Sequence, residues 1–311
     1  MSQLKARTGA RFALGLGLAL LLLVTGSPVL VQAQEPVNIT INSGESSDFP
    51  RVVAYVTVSD DTGHAIVGLP PEAFSASEDG NPVDALGVEF LENVGEPILL
   101  VLALDTSGSM GGRPLINAKA AALQLINDLG PADKVSVLSF DDTVKTQTEF
   151  TDDKAAAVAA VEALTTQGDT ALNDAIYQGA RSLASRPRGR KALVVLTDGH
   201  DTKSTLTMDD AIDAAQEASI PVYAVGFGPE IRPRILQRLA LLTGGHFYQT
   251  PSSEEIGDSF RAVARLLRYQ YVLRFDSSLP ADHRSHTLRV DVNVEGVRAD
   301  GELPFTAVSR E

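Results

Sequence analysis

Between Leu104 and Met110 the chain reads Leu-Asp-Thr-Ser-Gly-Ser-Met, directly after the apolar run Ile98 to Ala103. A carboxylate, Asp105, and the hydroxyls of Thr106, Ser107 and Ser109 therefore stand where a buried strand should end. Three chemistries suit such a set. A turn uses these side chains to satisfy its own backbone amides. A hard cation takes oxygen ligands. A nucleophilic serine needs a base beside it. Two later stretches bear on the choice, Gly168-Asp169-Thr170-Ala171-Leu172 and Leu196-Thr197-Asp198-Gly199.

The elements that must position these residues lie between Glu96 and about Arg268, where strands and helices alternate. The runs Ile98 to Leu104, Val135 to Leu138, Ala192 to Leu196 and Val222 to Val225 are apolar at successive positions. Strands covered on both faces have that pattern. Pro114 suits a first helical turn, and Leu115, Ala118, Ala122, Leu125 and Leu129 share one face before Gly130-Pro131. Leu172, Ala175, Ile176, Gly179 and Leu183 form a second stripe. Thr207, followed by Asp209 and Asp210, opens a third helix that buries Met208, Ala211, Ile212 and Ala215. Ser252 with Glu255 reads as a capping box ahead of Ile256, Phe260, Val263 and Leu267. The alternation predicts an α/β fold with a doubly wound, mainly parallel sheet and helices on both faces.

In such a sheet, ligands sit outside the carboxyl ends of the strands, where strand order reverses. Asp105 ends the first strand and Asp198 another, with Thr170 on a loop between them that leads into a helix. Asp105, Ser107, Ser109, Thr170 and Asp198 thus fall on one sheet edge. Two carboxylates and three hydroxyls make an all-oxygen set of low formal charge. Small hard cations prefer oxygen, and Mg²⁺ wants about six ligands while keeping some waters. Five side chains leave a position for another donor. Asp169 and Asp201 match no ligand position and read as loop or rim carboxylates. The rival is a serine hydrolase, with Ser107 or Ser109 as nucleophile, His200 as base, and Asp201 or Asp198 orienting it. Against it, Ser107 stands where the first glycine of a Gly-x-Ser-x-Gly elbow should be. His64, His246, His283 and His286 lie far off in sequence, without metal-type spacing. A nucleotide loop at Gly226-Phe227-Gly228-Pro229 lacks its third glycine, and Pro229 removes an amide that a phosphate would need.

Asp105-x-Ser107-x-Ser109, a threonine in the third loop and Thr-Asp-Gly after the fourth strand resemble the metal-ion-dependent adhesion site of the von Willebrand factor type A (VWA) domain. The likeness covers roughly residues 96–268, and all five motif positions match in order. It implies strand order 3-2-1-4-5-6, with the loops after strands 1 and 4 at the switch point. By resemblance, Ser107 and Ser109 bond the ion through their hydroxyls. Thr170, Asp105 and Asp198 complete the shell, directly or through water. The ion implied is Mg²⁺ or Mn²⁺ ahead of Ca²⁺, and the open position usually receives an acidic side chain from a partner protein. The function so implied is non-catalytic, cation-dependent adhesion or protein binding. A structural or assembly role, in which the metal only stabilises the loops, is the alternative.

On either side the pattern is strand-like. Val52, Ala54, Val56 and Val58 alternate with Val53, Tyr55 and Thr57, and Leu288, Val290, Val292 and Val294 with Thr287, Arg289, Asp291 and Asn293. Neither zone has enough strands for a core of its own. The expectation is one β-sandwich, built from residues 37–95 and 269–311, with the VWA domain of residues 96–268 inserted between its halves. Such flanking zones resemble those of exported bacterial proteins with VWA domains.

Lys5, Arg7 and Arg11 precede the apolar run Phe12 to Val24, and Val31-Gln32-Ala33 follows. That is the pattern of a secretory signal peptide, residues 1–33, against the alternative of a retained anchor. An apolar core of 13 residues is shorter than the roughly 20 a spanning helix needs. An extracellular, periplasmic or cell-envelope location follows. Without residues 1–33 the chain keeps 23 basic residues against 40 acidic ones, a net charge of −17. Such a surface repels phosphate backbones and excludes nucleic acid as a natural partner. A cation would let this acidic chain recruit a carboxylate, so the expected partner is a protein or cell-surface ligand with an acidic side chain. Membrane contact is expected only through an uncleaved signal. There are no cysteines, so disulfides and thiolate chemistry are excluded. The basic run Arg186 to Lys191 reads as a solvated connector, Arg261, Arg265 and Arg268 as an exposed helix face, and Asn38-Ile39-Thr40 as a chance sequon.

Overall fold

The computed structural model describes residues 36–92, 97–186 and 190–307. The signal segment 1–33, the boundary at Glu96 and the centre of the basic run lie outside the described residues. Five strands open the chain: β1 (Val37–Asp48), β2 (Arg51–Asp60), β3 (Phe74–Glu78), β4 (Asn81–Pro82) and β5 (Gly87–Glu92). There follow β6 (Ile98–Asp105), α1 (Arg113–Asp128), β7 (Lys134–Phe140), β8 (Val144–Thr151), α2 (Lys154–Glu162), α3 (Leu172–Ala184) and β9 (Arg190–Thr197). The α/β part ends with α4 (Met208–Glu217), β10 (Val222–Phe227), α5 (Pro233–Thr243), β11 (Phe247–Thr250) and α6 (Ile256–Arg268). Strands β12 (Tyr269–Asp276), β13 (Ser285–Val294) and β14 (Val297–Thr306) close the chain.

The central sheet has six strands in the order β11-β10-β9-β6-β7-β8. Counted from β6, that is the expected order 3-2-1-4-5-6. All pairs are parallel except β7 with β8. Strand β6 explains why its sequence is apolar throughout. Leu100, Leu102 and Leu104 point into one core with Ala118, Ala122 and Leu125 of α1 and Phe260 and Val263 of α6. Val101 and Ala103 point into the opposite core, with Ala175, Ile176 and Ala180 of α3. A strand with a helix layer on each face has no exposed position to make polar. Helix α3 rides close on the sheet, for a Cβ at Gly179 would stand 2.9 Å from Leu193 Cδ1.

Helix starts are partly as expected. Thr207 and Asp210 form a reciprocal capping box at α4. The box expected from Ser252 and Glu255 does not form: a short 3₁₀ turn over Ser253–Glu255 precedes α6 without a side-chain cap. Ser252 instead hydrogen-bonds Glu254 and holds that carboxyl below its usual value. Arg261 and Arg265 are exposed, as expected, and Arg268 is half-buried.

The outer strands form two antiparallel sheets, β1-β2-β12-β5 and β14-β13-β3-β4. They share one core, in which Val52, Ala54, Val56 and Val58 of β2 meet Phe74 of β3, Leu273 of β12 and Val290 of β13. Strand β12 lies between β2 and β5, and β13 between β14 and β3, so C-terminal strands complete sheets begun by N-terminal ones. This is the sandwich expected from the two flanks. The other face of β2 is covered as well. Tyr55, Thr57 and Ser59 are buried too, and the Thr57 hydroxyl donates to the Leu266 carbonyl of α6 at 3.4 Å. Helix α6 runs straight into β12, so β2 and β12 are covered on one face by sandwich core and on the other by the α/β part.

One ion cluster in the sandwich predicts a pH dependence. His286 Nδ1 lies 2.7 Å from Asp79 and Nε2 lies 3.0 Å from Asp282, and its side chain is 10% exposed. The two carboxylates, Asp79 foremost, raise the pKa of the imidazole above 6.5. The added stability is therefore full below 6.5 and is lost as pH rises through the folded-state value. Wild type should melt higher at about pH 5.5 than at about pH 9 by an increment that His286→Gln removes, as scanning calorimetry would show. An equal pH response in both proteins would refute it.

Candidate functional site

The site assembles where the chain leaves β6 and β9 in opposite directions. After β6 it enters α1, which packs on one face, and after β9 it enters α4, which packs on the other. That divergence opens the crevice of an α/β switch point. Asp105 sits at its base, fully buried. Its Oδ1 accepts the Ser107 amide at 2.8 Å, and its Oδ2 accepts the Thr197 hydroxyl at 2.6 Å. Ser107 Oγ lies 3.1 Å from Ser109 Oγ, and the Ser109 hydroxyl donates to Asp198 Oδ1 at 2.8 Å. Asp105, Ser107, Ser109 and Asp198 thus form a continuous oxygen cluster, closed by protein below and open at the exposed Ser109.

Among the described residues, Thr170 is not hydrogen-bonded to this cluster; its backbone ties it to the fourth loop. Its amide donates to the Thr202 hydroxyl at 3.1 Å, and its carbonyl accepts the amides of Thr202 and Lys203. Its side chain is buried against Gly199, where an added Cβ would stand 3.8 Å from Thr170 Oγ1. The same loop meets the first one through the Gly108 amide, which donates to the Gly168 carbonyl at 2.9 Å. Asp201 is structural: its carboxylate accepts the Asn173 amide at 2.9 Å at the start of α3, and also takes both donors of Ser204. Asp169 is exposed and lies with Asp142 around Lys203, 3.8 Å from each, as a rim carboxylate should.

Two positioning residues escaped the sequence reading. Thr197, last residue of β9 and fully buried, donates to Asp105 and accepts the Gly199 amide at 3.2 Å. Thr202 clips the fourth loop to Thr170. A hydroxyl one residue before a strand-end aspartate was the available signal for Thr197. Nothing in the pattern around Thr202 set it apart.

The electrostatics fit a cation. Burial pushes the Asp105 carboxyl up to about 6, against the hydrogen bonds of Ser107 and Thr197, and the charge of Asp198 adds to the rise. Burial also raises Asp198, against its bond from Ser109, with Glu230 adding. Two neighbouring carboxylates in a poorly solvated crevice resist ionising without a positive partner. Among the described residues no three His, Cys, Asp or Glu side chains gather as ligands, so the donors here are hydroxyls as much as carboxylates. The bonding does not assemble a hydrolase. Ser109 gives its proton to Asp198, while His200 Nδ1 faces the Glu230 carbonyl at 3.2 Å and Asp201 is engaged by Ser204.

The profile of the von Willebrand factor type A domain matches residues 100–262, more than half of the chain. The protein belongs to that family. Among solved structures, the VWA chain is similar to a von Willebrand factor type A protein from Catenulispora acidiphila, with 16% identity and a TM-score of 0.54. That likeness covers 90% of this chain and 76% of the other, which extends the shared fold beyond the central domain. A structure of mussel byssus proximal thread matrix protein 1 with a zinc-occupied MIDAS motif aligns at 17% identity and TM-score 0.53, over 59% of this chain and 49% of that one. By sequence, the chain is 31% identical to Synechocystis protein sll0103 over 54% of its length and 41% of the relative's. It is 25% identical to the bovine inter-alpha-trypsin inhibitor heavy chain H4 over 62% of its length and 23% of that chain. The VWA chain thus spans less than half the length of these curated relatives.

Proposed function

We propose that the protein is a non-catalytic, divalent-cation-dependent binding module, whose ligand offers a carboxylate. Asp105, Ser107, Ser109, Thr170 and Asp198 would hold the ion, and the exposed side at Ser109 leaves room for the partner's group. The observation that carries this reading is the buried Asp105 carboxylate, bonded by the Ser107 amide, beside a pair of serine hydroxyls that leads to a second carboxylate. A bound cation supplies the positive charge that Asp105 and Asp198 lack and presents it to the ligand. The all-oxygen donor set favours Mg²⁺ or Mn²⁺ over softer ions, so zinc in the byssus protein's motif does not transfer directly. The loops are already fastened by Gly108 to Gly168 and by Thr170 to Thr202. A cation is therefore not required to hold them, which favours recruitment over mere stabilisation. The signal pattern of residues 1–33 supports export to the envelope or exterior. Among the described residues no helix is long and apolar enough to cross a membrane.

The test is thermal unfolding of the chain in EDTA and in rising Mg²⁺, Mn²⁺ or Zn²⁺, alongside a serine-reactive fluorophosphonate. An ion at about 100 times its dissociation constant adds about 2.7 kcal/mol if it binds only the folded state. A rise with Mg²⁺ or Mn²⁺, without covalent labelling, is expected. No rise with any of the three ions would end the cation reading, and labelling at Ser107 or Ser109 would restore the hydrolase.

A further inference from the structure

Beside the oxygen cluster lies a cavity of about 200 Å³ that the cation chemistry does not use. We propose that it takes one aliphatic side chain of a protein ligand, the near neighbour of the acidic residue whose carboxylate meets the cation. The inference rests on the cation-dependent reading and names what selects among acidic partners.

The cavity and the cluster share a wall. Gly199 follows Asp198 directly and lines the cavity, and a Cβ there would stand 3.8 Å from Thr170 Oγ1. With no side chain at Gly199, only one residue's width of backbone separates the two. A ligand whose carboxylate reaches the ion therefore places an adjacent or next-but-one side chain over the cavity. The interior suits an aliphatic group. Leu172 and Leu236 are buried in it, and Met208 and Ile235 are only partly covered. His200 and Arg232 stand among the lining residues with Asp201. The imidazole of His200 is engaged by the Glu230 carbonyl, the Asp201 carboxylate by Ser204, and the Asn173 side-chain amide donates to the Leu206 carbonyl, so these three polar groups are already hydrogen-bonded.

Size and charge narrow the occupant. Small-molecule sites measure roughly 300–1,000 Å³, so this cavity suits a single side chain better than a free metabolite. The chain carries 40 acidic residues against 26 basic ones, so each acidic group of a ligand beyond the coordinating one is repelled. Selectivity among acidic ligands then falls to apolar contact. Burying a Leu, Ile or Met side chain is worth enough to favour it over glycine by roughly tenfold or more.

The experiment pans a library of random heptapeptides on phage against the full chain in Mg²⁺ and elutes with EDTA. Eluted peptides should carry Asp or Glu with Leu, Ile or Met one or two positions away. Synthetic acetyl-Gly-Asp-Leu-Gly-amide should bind at least about tenfold more tightly than acetyl-Gly-Asp-Gly-Gly-amide in Mg²⁺. Met208→Trp and Ile235→Trp fill the cavity from its partly exposed wall. Each should keep the Mg²⁺-dependent rise in melting temperature, which reports an intact fold and cation site, and should bind both synthetic peptides equally. Acidic peptides that elute with EDTA but show no aliphatic neighbour, or the same preference in the filled variants, would overturn the cavity's role and leave the cation reading standing. Recovery of no acidic peptide by EDTA would overturn both.

Discussion

Asp105→Asn should melt higher than wild type in EDTA and lose all response to Mg²⁺ or Mn²⁺. The Asp105 carboxylate has no solvent exposure, and burial pushes it from 3.8 up to about 6, with the Asp198 charge adding to the rise. At neutral pH without a cation the group is ionised in a place that disfavours it. A shift of that size costs about 3 kcal/mol. Asparagine has the same shape and removes the charge. Its Oδ1 keeps the Ser107 amide, and its NH₂ takes the other position. The Thr197 hydroxyl then turns its proton to the Gly199 carbonyl, already 3.3 Å away. No buried group loses a partner, so the exchange should gain a few kcal/mol, or roughly 5–10 °C in melting temperature for a protein of this size. The cation shell, in contrast, loses a full negative charge. Calorimetry in EDTA and in saturating Mg²⁺ reads both effects. A variant that melts lower than wild type in EDTA would show that the ionised carboxylate stabilises the cation-free fold, and the site would then be a hydrogen-bonding hub instead of a charge trap.

The legibility of this site has a physical source. Parallel strands with helices on both faces are apolar at every position, so β6, β7, β9 and β10 stand out, and their ends can be placed to a residue. Asp105 and Asp198 were conspicuous because each interrupts such a run. The elements that went unread have weaker signatures. Strand β8 is a largely polar edge strand with no buried residue, and β11 has only four residues. Helix α2 is mostly alanine and buries only Ala157 and Val161. Helix α5 leaves Leu241 at 76% and Leu242 at 40% exposure, which blurs its apolar stripe. In the sandwich the sequence alternation identified strands but not partners. The pairing of β12 with β2 joins residues more than two hundred positions apart, and its pairing with β5 joins residues roughly 180 apart, which no local pattern encodes. Ser252 does not cap its helix, and its side chain bonds Glu254 instead.

Gly245→Ala should be the most damaging single methyl in the protein. Helix α5 ends in Gly244 at φ +75°, with the Gly245 amide donating back to the Ala240 carbonyl at 2.9 Å. That turn sends the chain directly across the backbone of β10. A Cβ on Gly245 would stand 2.5 Å from the carbonyl carbon and 2.9 Å from the nitrogen of Val222, and closer still to its oxygen. Backbone in a central strand has nowhere to move. The alternative is for β11 to lift away, which breaks the Ala224 amide to His246 carbonyl bond and displaces Tyr248, whose hydroxyl donates to Gly63 of the sandwich at 2.9 Å. A loss of about 4 kcal/mol or more, or failure to fold, is expected. Gly244→Ala is the control: it keeps space around the Cβ, apart from Thr40 at 3.3 Å, and suffers chiefly from its left-handed backbone. It should lose only about 1–2 kcal/mol. Urea midpoints of the two variants decide the matter, and comparable losses would show that the strand backbone yields. The damage is also confined in kind. Val222 begins β10, away from the carboxyl ends of the strands where Asp105 and Asp198 lie, so whatever fraction of Gly245→Ala folds should still gain stability from Mg²⁺. The sheet's close packing and its oxygen cluster are thus separable demands on the same strands, one on where backbones touch and the other on where strands end.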